Sequence, residues 1–207
     1  MSVENTPIQT KQRFSVKNIA ILGSGAGSTA KAIIEASLRT ATTYHVAFVA
    51  TTTPNAGILD VAASNKIPAV CYTMETLQTL FLQQLRQEKV DLLVLAGFLK
   101  LLPAVIISGM HGAVVNTHPA LLPAYGGKGM YGRRVHDAVA QANERQSGVT
   151  LHWVDAEYDR GAIIEQAIVD VPEGSTGDQV ETLVRALERS WLPGAINRLF
   201  ASEGHGT

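Results

Sequence analysis

Short apolar runs alternate with longer stretches of helical spacing along this chain. Asn18 to Leu22 is an apolar run that ends in glycines, and from Thr29 the stretch AKAIIEASL gathers its large apolar residues on one side of a helix. The unit then recurs. Tyr44 to Ala50 predicts a strand, Ala56 to Asn65 a helix, Ala69 to Tyr72 a strand, Glu75 to Glu88 a helix and Asp91 to Ala96 a buried strand. Such alternation predicts an α/β fold with a doubly wound, mostly parallel sheet, because each helix carries the chain back across the sheet to a parallel neighbour.

The second half follows the same logic with one departure. A short helix is expected near Pro103 to Ser108, a strand over Ala113 to Asn116, a glycine-rich loop through Gly132 and a helix over Val135 to Ala142. Gly148 to Val154 and Ala162 to Val171 both have strand composition, and the link between them is too short for a parallel crossover. An antiparallel C-terminal strand pair is therefore expected. The final helix, Thr176 to Phe200, carries Val180, Leu183, Val184, Leu187, Trp191 and Leu192 along one face, with Pro193 expected to end or kink it.

Composition narrows the classes. At 207 residues, 46% of them hydrophobic, the chain can bury one sizeable core, so residues 17–200 are read as a single domain between tails over 1–16 and 201–207. Lys and Arg total 17 against 18 Asp and Glu, which leaves no basic field for nucleic acid or an anionic membrane. The most apolar stretch, Val90 to Ile107, is interrupted by Asp91, Lys100 and Pro103 and is no membrane span. Cys71 is the single cysteine, so an internal disulfide is excluded; a reducing, cytoplasmic setting fits, with Cys71 read as a core residue.

Three segments have the makings of a site. Gly23-Ser24-Gly25-Ala26-Gly27-Ser28-Thr29 lets backbone N–H groups converge on an anion at a helix N-terminus, the alternative being a tight turn with no ligand. It departs from a dinucleotide fingerprint, because Ser28 stands where the third glycine belongs and Thr51, Thr52 and Thr53 stand where an acid would hold a ribose diol. No Gly-Lys-Ser/Thr closes it as a triphosphate loop, so a monophosphate is the natural occupant. In Asn116-Thr117-His118-Pro119-Ala120-Leu121-Leu122-Pro123, Asn116 and His118 are two apart on extended chain and project to one side, a pair suited to a carbonyl oxygen that becomes an oxyanion. An isolated Asn-X-His is more often a capped strand end with a structural histidine. The third segment, His152 to Gly161, places Asp155, Glu157 and Asp159 in a turn, where acids are usually solvated.

Taken together, Gly25 to Ser28, Leu95 to Phe98, Asn116 to Pro123 and His152 to Gly161 resemble the formyltransferase-fold family, and within it the phosphoribosylglycinamide formyltransferases, from about Lys17 to Phe200. The resemblance implies transfer of the formyl group of 10-formyltetrahydrofolate to the amine of N1-(5-phospho-D-ribosyl)glycinamide in de novo purine biosynthesis. It implies a phosphate-binding half over 17–115 and a folate and catalytic half over 116–200. By that resemblance Asn116, His118 and Asp159 form the catalytic set, while Gly27, Ser28, Thr29, Pro119, Arg185 and Glu188 hold the ribose-phosphate substrate. Leu99, Lys100, Leu101 and Leu102, with Asn116, would line the folate pocket. Val154, Asp155, Ala156, Glu157, Tyr158 and Asp159 would complete it. Thr29 stands where the family often has Asn, Lys100 replaces a frequent Arg, and the loop Ala124 to Arg133 follows one branch of the family.

A carboxylate at Asp159 beside His118 is expected to raise the imidazole pKa and favour the imidazolium. No metal is expected, since His118, His136 and His152 lack the spacing of a zinc motif. The partners are then two small molecules and the chain is a monomer or homodimer. Rival readings are another folate-dependent formyltransferase or deformylase on the same core, and a non-catalytic phosphate-ligand-binding domain, against which the coincidence of Asn116, His118 and Asp159 speaks.

Overall fold

The computed structural model describes residues 16–39 and 42–203. The predicted N-terminal tail, apart from Val16, and the last four residues of the predicted C-terminal tail lie outside them. Strands β1 (Lys17–Leu22), β2 (Tyr44–Thr51), β3 (Ala69–Cys71), β4 (Leu92–Leu95), β5 (Val114–His118), β6 (Gln146–Trp153) and β7 (Ile163–Asp170) form one sheet in the order β3-β2-β1-β4-β5-β6-β7. The first five are mutually parallel, as their helical crossovers dictate. β6 runs antiparallel to both β5 and β7, so the mixed edge includes β5 as well as the predicted pair.

Helices α1 (Ser28–Ser37), α2 (Gly57–Ser64), α3 (Met74–Gln87), α4 (Ala104–Gly109), α5 (Arg133–Gln141) and α6 (Gly177–Glu203) cover the sheet. The alternation within β1 divides the core. Ile19 and Ile21 pack with Ile33 and Ile34 of α1 and with Leu192 and Ile196 of α6, whereas Ala20 and Leu22 pack with Leu77, Phe81 and Leu85 of α3. A strand with helices on both faces must be apolar on both sides, which is why β4 reads LLVL and is buried at all its positions. A third cluster, Val139, Val149, Val171, Val180 and Val184, joins α5 and α6 to the mixed edge.

Two expectations need correction. Pro193 lies inside α6, which continues to Glu203 and takes in residues 201–203 of the predicted tail. Cys71 is exposed rather than a core residue, because β3 is the edge strand and its Ala-Val-Cys run is only half covered.

The chain moves outward from β1 to β2 and β3, then returns to β4 on the other side of β1. A parallel sheet opens a crevice at the carboxyl ends of its strands at such a reversal. The segments after β1, β4 and β5 all emerge there.

Candidate active site

The turn after β1 is built for close approach. Gly27 adopts φ 81°, and a Cβ on it would stand 2.7 Å from the Cα of Ile58, so both conformation and packing require glycine. No side chain caps α1 and no acid lies in its first turn, so its leading N–H groups remain unclaimed by the helix's own side chains. This is the arrangement that favours an anion.

That turn borders a cavity of about 560 Å³. Gly27, Ser28, Thr29, Pro119, Arg185 and Glu188 all line it. So do Leu99, Lys100, Leu101 and Leu102 from the segment after β4, and Val154, Asp155, Glu157, Tyr158 and Asp159 from the turn after β6. Of the residues expected to hold the substrate or the folate, Ala156 alone is not part of the wall. Leu99 and Leu101 are about half exposed and give the opening an apolar lip. The Lys100 ammonium donates to the Thr52 hydroxyl at 3.2 Å.

Asn116, His118 and Asp159 meet in this cavity. The Nε2–H of His118 donates to the Tyr125 carbonyl at 2.8 Å, which fixes the proton on that nitrogen, while Nδ1 lies 3.5 Å from Oδ2 of Asp159. Asp159 itself sits at φ 55°, a left-handed conformation that Asp and Asn tolerate, and its Oδ2 accepts the Gly127 N–H at 2.9 Å. Burial pushes the Asp159 carboxyl up, but its contacts with His152, His118 and the Gly127 N–H outweigh this and hold it below the usual carboxylate range.

The sign expected for His118 is reversed. Burial pushes its pKa below the usual histidine value and outweighs the upward pull of Asp159 and of the Tyr125 carbonyl, with His152 adding to the downward side. His118 is only 3% exposed, so the lost hydration of an imidazolium exceeds the gain from one carboxylate at 3.5 Å. The free protein therefore holds a neutral imidazole at neutral pH, with the Nδ1 lone pair available as a base.

His152, given no role from the sequence, completes the group. Asn116 and His152 stand opposite each other in the antiparallel register of β5 and β6. The ring Nδ1–H of His152 donates to the Trp153 carbonyl at 2.8 Å, leaving Nε2 to accept from the Asn116 amide at 3.1 Å. That bond orients the Asn116 amide, whose second N–H has only the 3.5 Å contact to Asp159 Oδ1 and is the one free to turn toward a ligand.

On the other side of β5, the Thr117 hydroxyl donates to Glu188 Oε1 and the Thr29 hydroxyl to Oε2, each at 2.9 Å. Glu188 thus ties α6 to both the anion turn and β5. Burial raises its pKa above the usual glutamate value despite these two bonds and the charges of Arg185 and Arg189. Thr117, His136, Arg134 and the loop residues Gly127 to Gly132 also line the cavity, unassigned from the sequence. The glycines at 126, 127, 129 and 132 were the local signal for the loop, and Thr117 lay inside the Asn116 to Pro123 segment. Among the described residues no group of three or more His, Cys, Asp or Glu is placed to hold a metal, and no helix is long and apolar enough to cross a membrane.

Residues 17–196 match the formyl transferase family. A chloroplastic phosphoribosylglycinamide formyltransferase of Vigna unguiculata is 36% identical over 187 residues, 87% of this chain and 60% of that protein. The phosphoribosylglycinamide formyltransferase of Bacillus subtilis is 28% identical over 200 residues, 92% of this chain and 98% of that protein. The crystal structure of the Bacillus halodurans phosphoribosylglycinamide formyltransferase superposes with a TM-score of 0.80 at 30% identity, covering 90% of this chain and 97% of that one. The chain spans about three fifths of the length of the chloroplastic relatives.

Proposed function

This chain belongs to the formyl transferase family, and from that premise we propose that it moves the formyl group of 10-formyltetrahydrofolate to the primary amine of N1-(5-phospho-D-ribosyl)glycinamide, a step of de novo purine biosynthesis in the cytoplasm. One observation carries the reading. The Asn116 amide, the neutral His118 and the Asp159 carboxylate converge on a single cavity that has an uncapped helix N-terminus in one wall and the Leu99 to Leu102 segment in another. The first suits a phosphate, and the second the flat face of a pterin whose polar edge backbone groups can meet.

The chemistry follows from the two sides of that convergence. The substrate amine attacks the formyl carbon, a C–N bond forms and the carbonyl oxygen becomes an oxyanion, toward which the free N–H of Asn116 turns. The nitrogen that attacked now carries a surplus proton. His118 Nδ1 accepts it, and Asp159 stabilises the imidazolium so formed. When the C–N bond to the folate breaks, that proton goes to the departing nitrogen, which leaves tetrahydrofolate, the formamide of the substrate amine and neutral His118. No water is consumed and no metal is needed for the balance.

Purified protein mixed with both substrates should therefore release tetrahydrofolate, followed by folate absorbance, in step with formylated product. No release in the presence of the amine overturns the reading. Release at the same rate without the amine points instead to a deformylase using water.

Glu188 offers a test in which stability and function move in opposite directions. Its folded pKa is raised, so burying the carboxyl costs nothing below the unfolded value and the cost appears as pH rises through the folded value. Glu188→Gln keeps partners for Thr29 and Thr117 and removes the charge. The variant should melt higher than wild type at neutral pH, with the gain vanishing near pH 4, while losing about 10- to 100-fold in kcat/KM for the ribosyl substrate, as a lost charged hydrogen bond to a hydroxyl implies. Melting curves at the two pH values and initial rates decide it; an unchanged kcat/KM removes Glu188 from the substrate site.

A further inference from the structure

His136 lines the cavity, and the proposed chemistry leaves its ring nitrogens without a task. It lies in the first turn of α5 and is 2% exposed, yet its Nδ1 is sealed from solvent without a hydrogen-bond partner. A buried ring nitrogen left this way is destabilising, and a purely structural position would shed that cost by becoming apolar. Leu or Phe would satisfy the core as well.

Its surroundings say what it faces. From α6, Glu181 and Arg185 act on it, from β5 His118, and from its own helix Asp137. Arg185 lies one turn before Glu188, which is bonded to Thr29 at the start of α1. In the free protein Arg185 borders the cavity half exposed and is paired with the less exposed Glu181 at 2.6 Å, so an arriving anion competes with that carboxylate for the cation. His136, Arg185 and the N–H groups of Gly27, Ser28 and Thr29 thus border the same cavity, and all three are kinds of group that bind phosphate.

We propose that His136 is a further binding residue for the phosphate of the ribosyl substrate, meeting it together with Arg185 and the N-terminus of α1. The proposal rests on the reading that the substrate carries a phosphate. In the free protein burial holds the imidazole neutral against the pull of Glu181 and Asp137, with Arg185 and His118 on the side of burial. An arriving phosphate dianion favours the imidazolium, so His136 takes up a proton as the ligand binds, and affinity rises as pH falls toward 6.5. Arg185 exchanges Glu181 for the phosphate in the same event.

Ribose 5-phosphate is the probe, titrated calorimetrically into the whole chain at pH 7.5 in buffers of different ionisation enthalpy, with ribose as control. Wild type should bind the phosphate with net proton uptake. His136→Leu should bind about tenfold more weakly without uptake while melting no lower than wild type, since an unpartnered nitrogen is what it removes. His136→Gln keeps a hydrogen-bonding group that cannot titrate; it should recover part of the affinity and none of the uptake. In turnover, both variants should raise KM for the ribosyl substrate, with KM for the folate and kcat within about twofold of wild type. Unchanged affinity and uptake in His136→Leu overturns the proposal, as does a wild-type chain that does not distinguish ribose 5-phosphate from ribose. Formyl transfer by the wild type tests the proposed function separately, and it can succeed while His136 fails.

Discussion

Asn116→Ala should lower kcat by about two to three orders of magnitude, the usual cost of losing one preorganised donor to an oxyanion. The amide is held by His152 Nε2 at 3.1 Å, so its second N–H has only to leave a 3.5 Å contact with Asp159 as charge develops on the oxygen. Alanine removes both bonds. The consequence in the fold falls on His152, which keeps its bond to the Trp153 carbonyl, and on Asp159, which loses a 3.5 Å contact and keeps the Gly127 N–H, so the variant should remain folded with a modestly lower melting temperature. Because the interaction is made only as the tetrahedral adduct forms, KM for either substrate should change little. Steady-state rates at saturating substrates provide the check, and a kcat within tenfold of wild type would show that the oxyanion is held elsewhere.

Asp159→Asn should cost about a hundredfold or more in turnover while leaving both substrates bound within a few-fold of wild type. Asn tolerates the left-handed backbone at φ 55° and its carbonyl can still accept the Gly127 N–H, so the loop keeps its anchor. What it loses is charge. The carboxylate opposes the downward push of burial on His118, and without it the imidazole pKa falls further below the usual value. A lower pKa means a weaker base at Nδ1 and an unstabilised imidazolium after proton transfer. The sign appears in the pH profile: activity rises as His118 loses its proton, so the acid limb lies below pH 6.5 in wild type and moves to lower pH in the variant. NMR titration of His118 measures the same shift directly. Turnover close to wild type would make Asp159 a turn residue, and a collapse of folate binding with unchanged kcat would make it a wall of the folate pocket.

The order of strands and helices was legible because each element carries its own period. The run from Asn18 to Leu22 and the helical spacing after Thr29 state what is apolar and on which side, and neither depends on a distant partner. The glycine turn was legible too, since a left-handed residue packed against Ile58 leaves a mark that a single position can carry. Asn116 and His118 share a side of one strand by simple alternation.

What the tertiary structure decided were the quantities that belong to pairs far apart in the chain. The hydrogen bond between Asn116 and His152 spans 36 positions and exists only because β5 and β6 pair in one register; a slip of one residue would turn His152 to the other face. Glu188 reaches Thr29 across 159 positions, a link set by the packing of α6 beside α1. Cys71 is exposed because β3 became the sheet edge, a matter of strand order and not of the apolar residues around it. The protonation of His118 follows the same rule. Its sequence supplies an acid that favours the imidazolium, but the depth at which β5 sets the ring decides that desolvation outweighs it. Periodicity and backbone conformation are local and can be read along the chain, whereas register, strand order and burial are sums over neighbours that only the folded chain brings together.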